Sequence, residues 1–217
     1  MNNLQALVIL GGAFDPIHLG HLSLANSIYQ KFNLPVSFMP LNGVPNYKAS
    51  PTTTLNQRLD MLKLAIQDQA QFRIEPIETT SNRYSPSYLT LQKLRQNLGN
   101  SLPIFFVIGF DSLVSLDTWD NWQELFNLTN FIAVSRTGYT PSQMSDAMHQ
   151  EYQKRKSNKL DQPYPAHGTI YEIEFDPIDI SSTHIRELVK NNQSINDLVT
   201  IEVAKYIKGH GLYARIR

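Results

Sequence analysis

Gly11-Gly12-Ala13-Phe14-Asp15-Pro16-Ile17-His18-Leu19-Gly20-His21 is the stretch that decides the fold. It follows an apolar run, Ala6 to Leu10, and enters an amphipathic stretch through Leu22, Leu24, Ala25, Ile28 and Tyr29. A strand that turns on glycines into a helix is the opening unit of an α/β sheet. It also places free backbone N–H groups at a helix N-terminus, where phosphate binds well. Paired glycines let the backbone approach a ligand with no Cβ in the way. His18 and His21 share a face of the first helical turn. Two imidazoles beside a phosphate donate hydrogen bonds and can carry charge near neutrality. The same two histidines with Asp15 are also a possible metal set, so the spacing leaves that reading open. Neither G-x-G-x-x-G nor the P-loop pattern is present, which disfavours a dehydrogenase or a P-loop kinase.

The alternation of short apolar runs with longer helical patterns continues along the chain. Strands are expected at Ala6 to Leu10, Val36 to Pro40, Phe72 to Ile77, Ile104 to Ile108, Phe131 to Ser135 and Thr169 to Glu174. The clearest later helix runs from Leu55 to Gln69, with Leu55, Leu59, Leu62 and Ile66 at helical spacing. Thr54 and Gln57 form a capping-box pattern before it. Others are expected from near Pro86 through Leu98, then over Trp119 to Phe126, Pro141 to Lys156, Thr183 to Lys190 and Ile201 to Lys208. Ser157 to Gly168 reads as a long surface connection. The order predicts an α/β, Rossmann-like open sheet, mainly parallel, with helices on both faces. With no repeat or linker, one domain over residues 1–217 is expected, its C-terminal helical part beginning at about 181.

Composition narrows the function. Lys plus Arg and Asp plus Glu are both 19, giving zero formal net charge. A nucleic-acid binder carries a basic excess, so phosphate recognition is expected from a local site. No apolar run approaches the roughly 20 residues that span a bilayer. The absence of cysteine excludes thiol catalysis, disulfides and thiolate metal sites. With no signal-peptide pattern at Met1 to Gln5, a cytoplasmic protein is expected. The Asn127-Leu128-Thr129 sequon then reads as chance.

A second motif lies near the C-terminus: Ile180-Ser181-Ser182-Thr183-His184-Ile185-Arg186. Ser181, Ser182 or Thr183 serves as N-cap, and the remaining hydroxyls are expected to face a ligand. Arg186 sits in the first turn, where a cation opposes the helix dipole, a local cost that an anionic ligand would offset. Read alone, the motif is better taken as a plain capped helix with a solvated arginine.

Together the two motifs resemble the signatures of the adenylyltransferase branch of the HIGH-motif nucleotidyltransferases. Glycine-x-Phe-Asp-Pro-x-His-x-Gly-His is matched at every fixed position, and Ile-Ser-Ser-Thr-x-Ile-Arg resembles the second signature. Between them, Ile108-Gly109-Phe110-Asp111-Ser112-Leu113, followed by Trp119, is similar to a region of the bacterial nicotinate-nucleotide adenylyltransferases. That likeness continues through Ser135-Arg136-Thr137-Gly138-Tyr139 to Gly211-Leu212-Tyr213. Two positions depart from the family. Its Pro-Pro-His-Lys loop reads Pro45-Asn46-Tyr47-Lys48 here, with Tyr47 in place of histidine. Its Ser-Tyr-Thr element fits Tyr84 to Leu91 in two registers, set by Thr90-Leu91 or by Ser87-Tyr88.

The resemblance implies adenylyl transfer from ATP to nicotinate mononucleotide, with His18, His21, Lys48 and Arg186 as the catalytic groups. It implies ATP contacts from Gly11, Gly12, Ala13, Phe14, Asp15, Gly109, Asp111, Ile180, Ser181 and Ser182. Asp15, Lys48, Ser87, Trp119 and Arg136 are implied for the mononucleotide. Trp119 is carried over as the ring-stacking residue, where an indole by itself reads as core. Mg²⁺ is expected with ATP, held through phosphate and water. No resident metal, nucleic acid or membrane partner is expected, and a homo-oligomer is compatible with the sequence. Acceptors such as nicotinamide mononucleotide or phosphopantetheine are rival readings, as is a non-catalytic nucleotide-binding module.

Overall fold

The computed structural model describes residues 5–43, 50–80, 85–135, 137–160 and 162–215. The strands are β1 (Leu7–Gly12), β2 (Val36–Pro40), β3 (Phe72–Ile74), β4 (Ile104–Gly109), β5 (Asn130–Val134), β6 (Lys156–Ser157) and β7 (Ile170–Ile173). They form one sheet in the order β3-β2-β1-β4-β5-β7-β6. Its helices are α1 (Leu19–Phe32), α2 (Leu55–Ile66), α3 (Ser87–Leu98), α4 (Phe110–Val114), α5 (Trp122–Leu125), α6 (Asp146–Arg155), α7 (Ser182–Lys190) and α8 (Ile201–Gly209). The open α/β, Rossmann-like class read from the sequence is the observed one. No helix among the described residues is long and apolar enough to cross a membrane.

Four expected elements differ. The strand from Phe72 stops at Ile74: after the Glu75 amide bonds to the Phe38 carbonyl, the next ladder donor, the Ile77 amide, is taken by the Glu75 carboxylate at 3.1 Å, and a short 3-10 turn, Ile77–Thr80, follows. The helix expected over Trp119 to Phe126 is broken: Trp119 is extended, Asn121 is left-handed at φ 51°, and only Trp122–Leu125 is helical. The helix expected from Pro141 is interrupted at extended Met144, and Ser145 caps a fresh start by accepting from the Met148 amide. Within the expected surface connection, Ser157 belongs to β6, and Tyr164 packs its ring against Phe105 and Tyr171 and donates its hydroxyl to the Phe32 carbonyl. Helix α4, which starts directly after β4, was not anticipated.

The residues group into two compact units. The first draws on Met1–Leu10, Ile28–Ser37 and Ser85–Phe175. Here β4 pairs in parallel with β1 and β5, and β7 pairs in parallel with β5 and β6. Phe105, Phe131, Ile132, Ala133 and Ile170 are fully buried, as expected of parallel strands covered on both faces. Arg95 of α3 is buried and donates to the carbonyls of Leu128, Gly99, Leu102 and Ala166, joining four chain segments. Lys154, Arg155, Lys156 and Lys159 line a hollow beside β6, where cationic side chains discourage a sheet edge from pairing with another chain.

The second unit comprises Gly11–Ser27, Phe38–Tyr84 and Asp176–Arg217. The Leu41 amide donates to the Gly12 carbonyl, and the Glu75 amide to the Phe38 carbonyl, which continues the sheet ladder here. The capping box of α2 is formed: Thr54 accepts from the Gln57 amide, and the Gln57 side chain accepts from the Thr54 amide. Helix α8 is tied to α2 by the Tyr206 hydroxyl, which donates to Asp60 at 3.2 Å.

Candidate active site in the glycine turn

The turn between β1 and α1 is built around the ring of Phe14. Phe14 adopts a left-handed φ of 50° and is buried, meeting His21 and Phe38 edge to face. A Cβ on Gly12 would lie 2.8 Å from that ring. Gly12 is therefore small for an internal reason, in addition to any approach of a ligand. At Gly20 an added Cβ would stand 3.1 Å from His18 Nδ1.

His18 and His21 stack with centroids 3.6 Å apart and an interplanar angle of 26°. The His18 amide donates to His21 Nδ1 at 3.3 Å, which puts the proton of a neutral His21 on Nε2. Burial lowers His18 to a pKa of about 4. Burial, and secondarily the neighbouring His18, lowers His21 to about 3. The expectation that these imidazoles carry charge near neutrality is corrected: packed on each other and on Phe14, they are neutral donors at pH 7.

Asp15 is 3% exposed and its carboxylate is surrounded by donors. Oδ2 accepts from the Thr52 amide at 2.7 Å and the Thr52 hydroxyl at 2.9 Å. Oδ1 accepts from the Thr53 hydroxyl at 2.5 Å and the Tyr213 hydroxyl at 2.8 Å. Burial would raise this carboxyl's pKa, but the hydrogen bonds from Thr53, Thr52 and Tyr213 outweigh it and hold the group below its usual value. Burial and the adjacent Asp15 carboxylate push the Tyr213 phenol well up, so it stays a donor.

The carbonyls of the turn are held as well. Arg58, 2% exposed on α2, donates to the Ala13 carbonyl at 2.6 Å. Arg186 of α7 donates to the Asp15 carbonyl at 2.8 Å and to the Thr183 hydroxyl at 3.1 Å. Ser182 donates to the Pro16 carbonyl at 2.9 Å. Ser181 is the N-cap of α7, accepting from the His184 amide at 3.1 Å. The hydroxyls expected to remain free for a ligand are thus engaged internally. Ile180, half-buried, precedes this cap, its amide bonded to the Ile178 carbonyl.

The structure accordingly brings Gly11, Gly12, Ala13, Phe14, Asp15, His18, His21, Ile180, Ser181, Ser182 and Arg186 into one unit. Gly109, Asp111, Ser87 and Trp119 belong to the other. There, Gly109 ends β4 and Asp111 lies in the first turn of α4, at the carboxyl end of a parallel strand, where open α/β sheets take ligands. Ser87 is the first residue of α3, and Trp119 is half-buried in extended backbone rather than on a helix. Lys48, Tyr47 and Arg136 lie outside the described residues.

Sequence reasoning missed Thr52, Thr53 and Arg58, and gave Tyr213 no role. A signal existed for Arg58: it falls at helical spacing with Met61, Leu62, Ala65 and Ile66, the buried face of α2. A lone arginine on an apolar stripe calls for carbonyl or carboxylate partners. Tyr213 closes the Gly211-Leu212-Tyr213 likeness, but nothing local points to its partner 198 residues away.

A family model described as cytidylyltransferase-like matches residues 9–188. A probable nicotinate-nucleotide adenylyltransferase of Shewanella woodyi is 36% identical over 207 residues, covering 94% of this chain and 97% of its own. One from Yersinia pestis is 35% identical over 211 residues, covering 94% of each chain. Among solved structures, Plasmodium falciparum nicotinic acid mononucleotide adenylyltransferase complexed with NaAD aligns with a TM-score of 0.70 at 20% identity. That alignment covers 96% of this chain and 97% of the other, a likeness of fold.

Proposed function

The chain belongs to the cytidylyltransferase-like family and to the nicotinate-nucleotide adenylyltransferases among its relatives, and on that premise we propose that it transfers the adenylyl group of ATP to nicotinate mononucleotide. The products are nicotinate adenine dinucleotide and pyrophosphate, a step of NAD biosynthesis. The observation that carries this reading is the glycine turn, with two stacked neutral imidazoles and an anchored arginine gathered at a helix start.

The mononucleotide's 5′-phosphate attacks the α-phosphorus of ATP in line, and pyrophosphate leaves. A phosphate with a second pKa near 6 is mostly dianionic at pH 7, so the nucleophile needs no general base. Catalysis consists of holding two anions in register and stabilising charge on the departing pyrophosphate. His18 and His21 supply neutral N–H donors at the head of α1. Arg186 keeps part of its guanidinium on the turn and retains donors for phosphate oxygens. Lys48 is assigned to the triphosphate, and Trp119 and Arg136 to the pyridine ring and its carboxylate.

Mg²⁺, when bound with ATP, would supply charge neutralisation for the phosphates. Among the described residues no three His, Asp or Glu side chains are grouped to hold a metal, and the Asp15 oxygens are already occupied. These residues suit a cation carried by ATP and water.

The test is incubation with ATP, Mg²⁺ and separate acceptors: nicotinate mononucleotide, nicotinamide mononucleotide and phosphopantetheine. Dinucleotide and pyrophosphate are expected chiefly with the first. Turnover with another acceptor alone would overturn the substrate, and ATP binding without turnover on any would make the chain a binding module.

A further inference from the structure

We propose that Tyr213 is a positioning residue for adenylyl transfer, acting through Asp15 to lock the glycine turn; this rests on the reading of that turn as the seat of the ATP phosphates. A carboxylate can accept only a limited number of hydrogen bonds. Two oxygens offer about four lone-pair sites. Asp15 fills them with four donors, two on each oxygen: the Thr52 amide and hydroxyl, then the Thr53 and Tyr213 hydroxyls. With 3% exposure and no acceptor site to spare, this carboxylate has none to offer a substrate hydroxyl. Its work is internal.

That work has a direction. The carbonyls of Ala13, Asp15 and Pro16 are each taken by a side chain: Arg58, Arg186 and Ser182. Three peptide groups of one turn are therefore pinned from their carbonyl side, and in two of them, Ala13–Phe14 and Pro16–Ile17, this also fixes the plane that carries an N–H. The Asp15 side chain is the remaining anchor, and it joins the turn to Thr52-Thr53, just before α2, and to the C-terminal turn after α8. Tyr213 supplies the C-terminal half of that link. It does so from a left-handed φ of 63°, a conformation aromatic side chains disfavour, while the preceding Leu212 amide is bonded to the Ile207 carbonyl. A backbone held in a disfavoured region, with its hydroxyl on a saturated carboxylate, fits a side chain retained for its reach.

The experiment uses the full chain with Tyr213→Phe, which keeps the ring and deletes the donor. Expected are a fall in kcat of about tenfold, weaker binding of MgATP by calorimetry and an unchanged KM for nicotinate mononucleotide. Thr53→Val removes the other donor to the same oxygen. It should reproduce this split, and the double variant should lose less than the product of the two single losses. Wild-type kcat and MgATP affinity in both single variants would overturn the proposal. So would losses that track the folded fraction in a thermal melt. If wild-type protein turns over none of the acceptors but Tyr213→Phe still weakens MgATP binding, the lock stands and the transfer reading alone fails.

Discussion

His18 and His21 lie ring on ring at 3.6 Å, and the amide of the first donates to Nδ1 of the second. This contact is local in sequence, yet its consequence is electrostatic. A second charge would sit against the first in a site already poor in water, so the unliganded pair stays neutral. On the proposed function, cationic help for the phosphates would then fall to Arg186 and Lys48, with the histidines as directional donors.

Stability should depend on pH through this pair. Both folded-state values, about 4 and about 3, lie below the ordinary 6.5. Between those limits the unfolded chain binds more protons than the folded one. The contribution of the neutral pair is complete above pH 6.5 and declines as pH falls toward 4 and 3. Urea unfolding between pH 7 and 4 should show a slope of up to about 1.4 kcal/mol per pH unit for each histidine. A variant with both replaced by Gln should give a shallower curve; superimposable slopes would refute the assignment.

Gly12→Ala tests the internal role of the glycine. The new methyl would stand 2.8 Å from a Phe14 ring confined by His21 and Phe38. Destabilisation of about 1–3 kcal/mol is expected from the overpacking, with a loss of kcat because the displaced ring touches His21. A melting temperature and kcat equal to wild type would show that Phe14 yields freely.

Legibility divided along the distance of the interactions. The strands of β1, β2, β4, β5 and β7 were readable because continuous apolar runs are what doubly covered parallel strands require. The Thr54–Gln57 box was readable because both partners lie within one turn. The break after Trp119 was not, since Asn121 in the left-handed region is an option of asparagine that its sequence context does not announce. In the site, the motif residues stood out, but what holds them did not. Arg58 meets a carbonyl 45 residues away and Tyr213 a carboxylate 198 away, and no periodicity encodes such pairs. The histidine charge state was misread for the same reason: unperturbed pKa values describe the residue, and burial belongs to the fold.

Arg95 should behave as a pure stability residue. Its guanidinium satisfies four carbonyls, one of them 71 residues distant. Arg95→Met removes a hydrogen bond from each of these carbonyls, of which Ala166 keeps the Ile104 amide, and should cost about 3 kcal/mol or more in chemical denaturation. Arg95→Lys should recover little, since an ammonium cannot span the same set. Turnover per folded molecule should stay at the wild-type level, and a selective loss of kcat would give Arg95 a part in the chemistry.

Arg186→Lys separates charge from geometry in the proposed catalytic cation. Arg186 spends one donor on the Asp15 carbonyl and one on the Thr183 hydroxyl, leaving three of its five N–H groups for phosphate oxygens. A lysine keeps the positive charge with three donors on a single nitrogen, so it cannot both hold the turn and reach the pyrophosphate. Little change in stability is expected, because the side chain is partly exposed and its 4.0 Å approach to the Asp15 carboxylate is a long ion pair. The effect should fall on the transition state: kcat lower by about 10²–10³, read as pyrophosphate release, with KM for nicotinate mononucleotide within a few-fold of wild type. If lysine sustained near-normal turnover, charge alone would suffice and the anchored fork would have no catalytic purpose. If KM for the mononucleotide rose while kcat held, Arg186 would belong to the acceptor and not to the leaving group.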